Sequence, residues 1–535
     1  MGQGESGPTP ARTFSKGIWK SVYVVTVSSA AITHVVPHPI YQGAYPTAPL
    51  TDAVNGGFLV RVRVHMWAPA AGAAGTVTVS GAWPGATASA PVSLPAGDSN
   101  VTLTLAAPAG SVKLWWPIRL GAQPLYAVNA SFAPAAAPAA PQPFAQRHIG
   151  FRYVVYSTGN DTDPNWVKAN TGGDGNANPQ GLLVRANGAP VHIFGANMIP
   201  VDNFEGRYGA AAVVRMVQSA ADARMNMLRV WGGGIYQSPA FYDTCDRLGI
   251  MILHDIQFAQ DGHSPTNGSP SQRAEFQHQV RRLSAHPSLV VIDGCNECHV
   301  VLNTPTGVYA TFVLQTVVDE DVSRVVWPSC PSNGWSAGVD RLSAHPNGSP
   351  LGLLPNARPP PAARGSAKQT IEIHGPYQHG GGWPCVNGGG NSNLNPFPSG
   401  YPLAVDAGTQ LGLIFPSQFA SEFGASVFSS FESMAPTLAP AHWGVHGGAP
   451  PDTCGGGFET RCNGTNTMAQ RNYPADNCAF KVFGGPSSHA LALAPLASLA
   501  SSPHAFAPQT SPCTSTRWTR RSWARRRSRR SSTSP

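Results

Sequence analysis

Residues 288–297 read Ser-Leu-Val-Val-Ile-Asp-Gly-Cys-Asn-Glu, an apolar run typical of a buried strand that is followed by the acid Glu297. A second acid, Glu422, follows the apolar run 411–415. Between residues 191 and 327, runs with strand character alternate with segments of helical periodicity, and the first predicted strand extends from Val191 to Asn197. Counted from that strand, Glu297 ends the fourth strand, His374 and Tyr377 follow the sixth, and Glu422 follows the seventh. Strands that alternate with helices in this way form βαβ units and a parallel sheet. We therefore expect both acids at the carboxyl ends of parallel strands.

This placement is typical of a (β/α)-barrel, whose chemistry lies at the carboxyl ends of its strands. Glycoside hydrolysis needs two carboxyl groups, one to protonate the leaving oxygen and one to attack the sugar or to activate water. By residue type alone, two solvated acids in loops would be the commoner interpretation. The motifs around the acids decide between the two interpretations.

Several motifs occur in a fixed order around the first acid. They are I-G-F-R (149–152), G-A-N-M-I-P-V-D (195–202), R-M-N-M-L-R-V-W-G-G-G-I (224–235), L-H-D-I-Q-F-A (253–259) and R-R-L-S-A-H-P-S (281–288). From about Gly17 to about Gly485, this ordered series resembles the β-mannosidases of glycoside hydrolase family 2. The series departs from the family pattern at Leu253 and His254, where Trp and Gln are usual, and at Cys295, where Asn is usual.

The resemblance implies a retaining exo-β-mannosidase that removes terminal β-linked mannose from oligosaccharides or N-glycan fragments. Glu297 would be the acid/base and Glu422 the nucleophile. The residues that it implies for substrate binding are Asn296, Arg229, Trp231, Asp255, Asn197, His374, Tyr377 and Trp383. Among these, Arg229 would orient the nucleophile and Trp231 would stack on the sugar, while Asn296 would bind the sugar 2-hydroxyl. A turn role for Asn197 and Asp202, and a structural role for His374, stay open.

Two other functions stay open at this point. One is another family 2 activity, such as an exo-β-glucosaminidase or an endo-β-mannosidase. The other is an inactive carbohydrate-binding remnant. No metal and no organic cofactor is implied by the chemistry of two carboxylates, and the pair Cys295 and Cys298 lacks the second pair of ligands that a zinc site needs.

The expected architecture is an all-β immunoglobulin-like sandwich followed by a (β/α)8-type barrel, incomplete in this chain, and a disordered basic tail. In residues 60–66, apolar and polar side chains alternate with the period of a half-buried strand. The expected ranges are 1–20, a remnant of an N-terminal sugar-binding β-domain; 21–132, the sandwich; 133–148, an Ala/Pro linker; 149–485, the barrel; and 486–535, the low-complexity tail.

The composition bears on partners and compartment. The formal net charge is +8, and the eight arginines between residues 517 and 530 equal this excess, so nucleic-acid binding by the rest of the chain is not indicated. No apolar run is long enough to span a membrane, and residues 1–16 lack the apolar core of a signal peptide. Six Asn-X-Ser/Thr sequons suit the secretory pathway, the lysosome or vacuole, or the cell exterior. The oligomeric state stays open.

Overall fold

The computed structural model describes residues 21–136, 142–158, 182–259 and 269–297, except residues 28 and 203, together with 312–313, 315–327, 330, 372–377, 419–424 and 430–439. The chain divides into two units. One consists of Ser15–His374 with Leu413–Ser421 and Met1, and the other of Gly2–Phe14, Gly375–Gly412 and Glu422–Pro535. The predictions for residues 1–20, for Trp383 and for the tail 486–535 lie outside the described residues.

The first part of the larger unit is an all-β sandwich. Its seven strands are β1 (Ala31–Tyr41), β2 (Phe58–Ala68), β3 (Ala73–Gly81), β4 (Thr87–Leu94), β5 (Gly97–Ala107), β6 (Tyr126–Pro134) and β7 (Phe144–Ile149). They form two antiparallel sheets, in the orders β1-β2-β5 and β4-β3-β6-β7, around one apolar core. Val60, Val62, Val64 and Met66 are fully buried in that core, which confirms the predicted alternation. The immunoglobulin-like type of this sandwich and the domain boundaries stay predictions.

A small antiparallel sheet separates the sandwich from the sheet that follows. It consists of β8 (Val154–Thr158), β9 (Leu182–Ala186) and β10 (Ala189–Val191). Asn187 and Gly188, both with positive φ (48° and 81°), form the two-residue turn between β9 and β10. The expectation of one strand from Val191 to Asn197 is therefore wrong, because Val191 ends this hairpin and the first parallel strand begins later.

Five parallel strands follow, and they are neighbours in chain order. They are β11 (Gly195–Met198), β12 (Met227–Val230), β13 (Met251–Asp255), β14 (Leu289–Asp293) and β15 (Val325–Trp327). The helices between them are α1 (Ala210–Asp222), α2 (Pro239–Leu248), α3 (Pro270–Leu283) and α4 (Gln315–Glu320). Right-handed crossovers through helices are how such neighbouring parallel strands are joined. The βα pattern is thus confirmed for five strands.

The helix ends follow the local sequence. Proline occupies the first turn of both α2 and α3, where a missing N–H is harmless. Ser269 caps α3 by accepting the backbone N–H of Gln272 at 3.2 Å, and Gly249 ends α2 in the left-handed conformation with φ of 76°. No helix within the described residues is long and apolar enough to cross a membrane.

Two later strands carry residues that the sequence placed in strands six and seven of a barrel. They are β16 (Glu372–Tyr377) and β17 (Phe419–Gly424), which form a sheet of two strands that is separate from the parallel sheet. The smaller unit contains the helix α5 (Phe431–Met434) and a 3-10 turn over Ala435–Thr437. Closure of the five parallel strands into a barrel stays a prediction.

Candidate active site

The parallel sheet has two apolar faces, and successive residues of each strand point alternately to one face and to the other. Leu228, Val230, Ile252 and Ile292 pack in the core that also contains residues of the four helices. Met227, Leu253 and Val291 pack on the other face, in a core with Trp115 and Val184. Arg229 and Asp255 alternate with the helix-facing residues, so they lie on the second face, near the carboxyl ends of their strands.

Arg229 and Asp255 form the centre of a buried polar network. The guanidinium of Arg229 donates from Nη2 to Asp255 Oδ2 at 2.6 Å and from Nε to Asp255 Oδ1 at 3.1 Å. The pair is bidentate, which is the strongest geometry for a guanidinium and a carboxylate. Asp255 is completely buried and Arg229 is 4% exposed. The two side chains are therefore fixed in one arrangement.

The same guanidinium connects the network to two other residues on the predicted list. Arg229 Nη2 donates to Asn296 Oδ1 at 2.8 Å, and Nη1 donates to Asn197 Oδ1 at 3.3 Å. Asn296 is 1% exposed, whereas Asn197 lies at the surface. Four predicted residues from the ends of β11, β12, β13 and β14 are thus in contact at one edge of the sheet. Asp202 does not join them, because its carboxylate accepts the backbone N–H of Phe204 at 2.9 Å within its own turn.

The turn after β12 requires glycine because its backbone passes too close to neighbouring atoms for a Cβ to fit. A Cβ on Gly232 would lie 2.4 Å from the carbonyl oxygen of Phe258, and one on Gly233 would lie 2.2 Å from the ring of Trp231. The backbone N–H of Gly232 also donates to Asp255 Oδ2 at 2.9 Å. Trp231 is half-buried. The turn thus packs its glycines against the ring of Trp231 and the carboxylate of Asp255.

Glu297 follows the network directly. Its backbone N–H donates to the carbonyl oxygen of Cys330 at 2.6 Å, and its φ of 53° is in the left-handed region, which is uncommon for a residue with a Cβ. Asn296 forms isolated parallel bridges with Ala259 and with Cys330 on either side. Glu297 itself is half-buried. The chain from the end of β14 to Glu297 is therefore held by backbone contacts on both sides.

Asp293 is a buried carboxyl group of this site that the sequence reasoning did not single out. It ends β14 opposite Asp255 in the strand register and is completely buried, and its Oδ1 atom accepts the backbone N–H of Cys295 at 3.2 Å. Burial raises the pKa of Asp255, against the opposing effects of Arg229 and of the hydrogen bond from the backbone N–H of Gly232. The sequence did contain a signal for this residue, because Asp293 is the last residue of its strand just as Asp255 is the last residue of the preceding strand.

His254, where the resemblance has Gln, does not disturb the site. It lies on the face toward the helices, where Nε2 is 2.8 Å from the hydroxyl of Tyr242 and Nδ1 is 2.7 Å from the carbonyl oxygen of Asp255. Its ring also stacks on Tyr242. Burial lowers the pKa of His254 to about 4, so the ring is neutral at pH 7. Leu253, on the other face, packs in the apolar core with Met251.

The remaining predicted residues lie on the later strands or outside the described part. His374 and Tyr377 belong to β16, and the description there covers the backbone alone. Glu422 belongs to β17, in the smaller unit, and is half-buried. Trp383 lies outside the described residues. The roles of all ten predicted residues stay predictions.

One other group of side chains has the composition of a metal site. Ligand atoms of Asp243, Asp246 and His286 lie within 4.8 Å of one another. The oxygens of Asp246, however, already accept hydrogen bonds: Oδ1 accepts the backbone N–H and the hydroxyl of Ser288 at 3.0 and 2.6 Å, and Oδ2 is 2.6 Å from His286 Nδ1. This group is a hydrogen-bonded clamp between α2 and the start of β14.

Comparison with curated proteins supports the resemblance over part of the chain. The chain is 38% identical over 167 residues to a β-mannosidase of Rattus norvegicus and 40% identical over 168 residues to one of Bos taurus, which covers 28% of this chain and 19% of each relative. It is 32% identical over 214 residues to β-mannosidase B of Thermothelomyces thermophilus, 40% of this chain and 23% of the relative. The chain thus spans about a fifth of the length of these relatives. No protein-family model matches it.

Solved structures show weaker similarity. The β-D-mannosidase of Dictyoglomus thermophilum is 23% identical, with 57% of this chain and 35% of that chain covered and a TM-score of 0.44. An exo-chitosanase of Amycolatopsis orientalis is 20% identical, with 65% and 34% covered and a TM-score of 0.44. Similarities of this size do not define the fold. The sequence relationship to β-mannosidases, over the matched part, is the finding that these comparisons establish.

Proposed function

We propose that this chain carries part of the catalytic apparatus of a retaining exo-β-mannosidase, a glycoside hydrolase that removes terminal β-linked mannose from oligosaccharides. The observation that carries the proposal is the buried contact of Arg229 with Asp255 and Asn296, immediately before Glu297. A buried guanidinium held by a carboxylate at the carboxyl edge of a parallel sheet is a pre-oriented hydrogen-bond donor for anionic or hydroxyl-rich ligands. The sequence similarity to β-mannosidases is the reason for proposing β-mannosides as the substrates of this site.

In the proposed reaction, Glu297 protonates the glycosidic oxygen while Glu422 attacks the anomeric carbon. The bond from that carbon to the leaving group breaks, and a glycosyl-enzyme ester forms on Glu422. Glu297, now a carboxylate, then takes a proton from water, which displaces the ester and releases mannose with its β-configuration retained. A retaining pair requires the two carboxyl groups at about 5–5.5 Å from each other.

The other residues have supporting roles in this proposal. Arg229 orients the nucleophile, and Asn296 binds the sugar 2-hydroxyl, an interaction that strengthens in the transition state. Trp231 offers a ring on which the apolar face of a sugar can stack. Asn197, Asp255, His374, Tyr377 and Trp383 complete the substrate-binding set.

The architecture that suits this function is a (β/α)8 barrel. We propose that β11 to β15 are its first five strands, that β16 and β17 belong to the sixth and seventh, and that the preceding sandwich is immunoglobulin-like, with the domain boundaries given above. A secretory, lysosomal or vacuolar, or extracellular location fits glycoprotein-derived substrates. The same-class alternative is another family 2 glycosidase, and the different-class alternative is a protein that binds sugar without turning it over.

The test is hydrolysis of an aryl β-mannoside by the full chain, with the configuration of the first product followed by NMR. We expect β-mannose first. Glu422→Ala should abolish turnover, and added azide should give the α-azide. Glu297→Ala should keep turnover of substrates with good leaving groups, and azide should accelerate it and give the β-azide, because azide replaces the base-activated water.

The matched control is Glu432→Ala, since Glu432 is an exposed acid in the smaller unit and should be dispensable. Turnover of an aryl β-glucosaminide in preference to the mannoside would favour the same-class alternative. Mannoside binding by calorimetry without turnover would favour the binding protein. α-Mannose as the first product, or full activity of both Glu variants, would contradict the assignment.

A further inference from the structure

Strands β1 and β2 of the sandwich carry histidine and arginine side chains on the face that is turned away from the sandwich core. The strand register places His34 opposite His65 and His38 opposite Arg61, with Arg63 between these two pairs on β2. Successive residues of a strand alternate between faces, so this face is opposite to that of the core valines of β2. His38 and His65 are nonetheless only 2% and 7% exposed, because another part of the chain covers this face.

The cover consists of the helices α3 and α4, which join the sandwich here to the layer of the parallel sheet. His34 Nε2 lies 2.9 Å from Nδ1 of His278 on α3. His65 Nε2 is 3.9 Å from the Oε2 atom of Glu320 on α4. The ring of His34 also meets the rings of His65 and His278 edge to face, at centroid distances of 5.9 and 5.0 Å. Three histidines from three elements are therefore grouped where the sandwich meets the helices.

Arginine side chains dominate the charges around these three rings. Glu320 accepts two hydrogen bonds from Arg281 of α3, at 2.7 and 2.8 Å, and its Oε2 atom lies 3.5 Å from Arg63 Nη1. The charged side chains that act on the three rings are Arg63 from β2, Arg147 from β7, Glu275, Arg281 and Arg282 from α3, and Glu320 from α4. Arginines thus outnumber carboxylates in this group, and one of the carboxylates is already paired. A proton added to any of the rings therefore enters a region of positive charge.

The contacts of the rings require neutral imidazoles. The hydrogen bond between His34 and His278 needs one ring nitrogen with a proton and one without, so two imidazolium rings would repel each other there. His34 Nδ1 and His65 Nε2 are buried and have no hydrogen-bond partner among the described residues, and a proton on either atom would lack an acceptor. Burial lowers the pKa of His34 and of His65 to about 4, with Arg281 acting in the same direction, and partial burial together with Arg282 lowers the pKa of His278.

We propose that this contact is an acid-sensitive joint: it is closed while His34, His65 and His278 are neutral, and proton uptake separates β1 and β2 from α3 and α4. The contact that Arg152 makes with two backbone carbonyl oxygens at the start of β14 does not respond to the same protons. Its pKa is about 9, so Arg152 keeps its charge from pH 4 to pH 7. Acid therefore opens the histidine side of the junction while the Arg152 contact stays in place.

The expected size of the effect follows from proton linkage. A histidine whose folded pKa is lowered contributes stability that is fully present above its unfolded pKa of about 6.5 and is lost as the pH falls toward the folded value. For His65, which is 7% exposed and has a folded pKa of about 4, linkage increases the open fraction by at most about 20-fold between pH 7 and pH 5. His34 is half-buried and adds less, because solvent screens its neighbours. We therefore expect roughly 10-fold more opening at pH 5 than at pH 7.

The test is hydrogen exchange of the full chain at pH 7 and pH 5, followed by mass spectrometry, with exchange times scaled for the intrinsic pH dependence of amide exchange. The helix α4 has six residues and β1 is an edge strand, so both depend on this contact for their local stability. Their amides should lose about 10-fold in protection at pH 5 relative to those of β6, which lies inside the other sheet of the sandwich. Equal loss in α4, β1 and β6, or no loss at all, would overturn the proposal.

A variant pair assigns the effect to the cluster. His34→Gln/His65→Gln is compared with its parent in the His38→Gln background, because His38 lies on the same face of β1. The change in protection of α4 and β1 should shrink to less than about 3-fold in the variant, whereas His148→Gln, at an exposed histidine of β7, should retain the full change. An undiminished change in the variant would contradict the joint, and the wild-type comparison decides if the variant does not fold. The measurement needs no substrate, so its outcome is independent of the proposed function.

Discussion

Acidification should destabilise the protein through His38, and the replacement His38→Gln should remove that effect. His38 lies on β1 and is 2% exposed. Its Nε2 atom is 3.9 Å from Asp321 Oδ1, too far for a hydrogen bond. Burial lowers the pKa of His38 to about 4, opposed by Asp321 and reinforced by Arg324, Arg63 and Arg61. The folded protein therefore holds this imidazole neutral.

The magnitude follows from proton linkage. A histidine with a pKa of about 6.5 in the unfolded chain and about 4 in the folded chain binds more protons when unfolded throughout the window between these values. Stability is then lost as the pH falls from 6.5 toward 4. At pH 5 the loss from His38 is about 2 kcal/mol relative to pH 7, which corresponds to a decrease of roughly 4–8 °C in melting temperature.

The assay is thermal unfolding of the wild type and His38→Gln between pH 7.5 and pH 4.5 at constant ionic strength. Glutamine retains a polar group of similar reach but takes up no proton, so the variant should lose less stability on acidification. His148→Gln is the matched control, because His148 is an exposed histidine on β7 of the same sandwich. Wild-type and His38→Gln profiles that stay parallel down to pH 5 would refute the reasoning.

Two further variants test which contacts stabilise the larger unit. Asp246→Ala should lower the free energy of unfolding by about 3–5 kcal/mol, because it leaves the N–H and hydroxyl of Ser288 and the ring of His286 without their acceptor; a loss below 1 kcal/mol in chemical denaturation would contradict the clamp. Glu320→Gln should cost about 1–2 kcal/mol at pH 7, because Glu320 accepts two hydrogen bonds from Arg281 at 2.7 and 2.8 Å. The pKa of Glu320 is lowered, so this difference should shrink below about pH 4.5, and a constant difference would exclude the ionic contribution.

The sequence predicted those features that depend on local periodicity. The burial of Val60, Val62 and Val64 follows from alternation along one strand, and the helix α2 follows from Pro239 and Gly249 at its two ends. These signals are contained in a few consecutive residues. Elements of this kind are therefore accessible without knowledge of the neighbouring strands.

The contacts of the candidate site depend on pairing between strands, which a single sequence does not contain. The oxygens of Asp255 accept hydrogen bonds from Arg229 and Gly232, which lie more than 20 positions away in the sequence. Asp293 was overlooked because its importance comes from the register that places it opposite Asp255. Val191 was assigned to the wrong strand because the Asn187-Gly188 turn reverses the chain and pairs Val191 with Val184 in an antiparallel hairpin.

Two arginine side chains, one from the segment after the sandwich and one from the segment before β15, fix the backbone at the start of β14. Because the start is fixed, the position of the last residue of the strand is fixed as well. Arg152, which directly follows the sandwich core residue Phe151, donates to the carbonyl oxygens of Pro287 and Leu289, both at 2.6 Å. Arg324, just before β15, also donates to Leu289 O at 3.0 Å. Burial lowers the pKa of Arg152 to about 9, so it still carries its charge at pH 7.

A strand advances about 3.3 Å per residue, so Asp293, at the end of the five-residue strand β14, lies about 13 Å from the fixed start at Leu289. A slip of one residue at Leu289 would reverse the face on which Asp293 lies and would separate it from Asp255. Trp115 strengthens the same region, since its indole N–H donates at 2.9 Å to the carbonyl oxygen of Asp246, whose side chain clamps Ser288. The residues that join the sandwich to the sheet therefore specify the register that places Asp293 opposite Asp255, although none of these joining residues lies at the site.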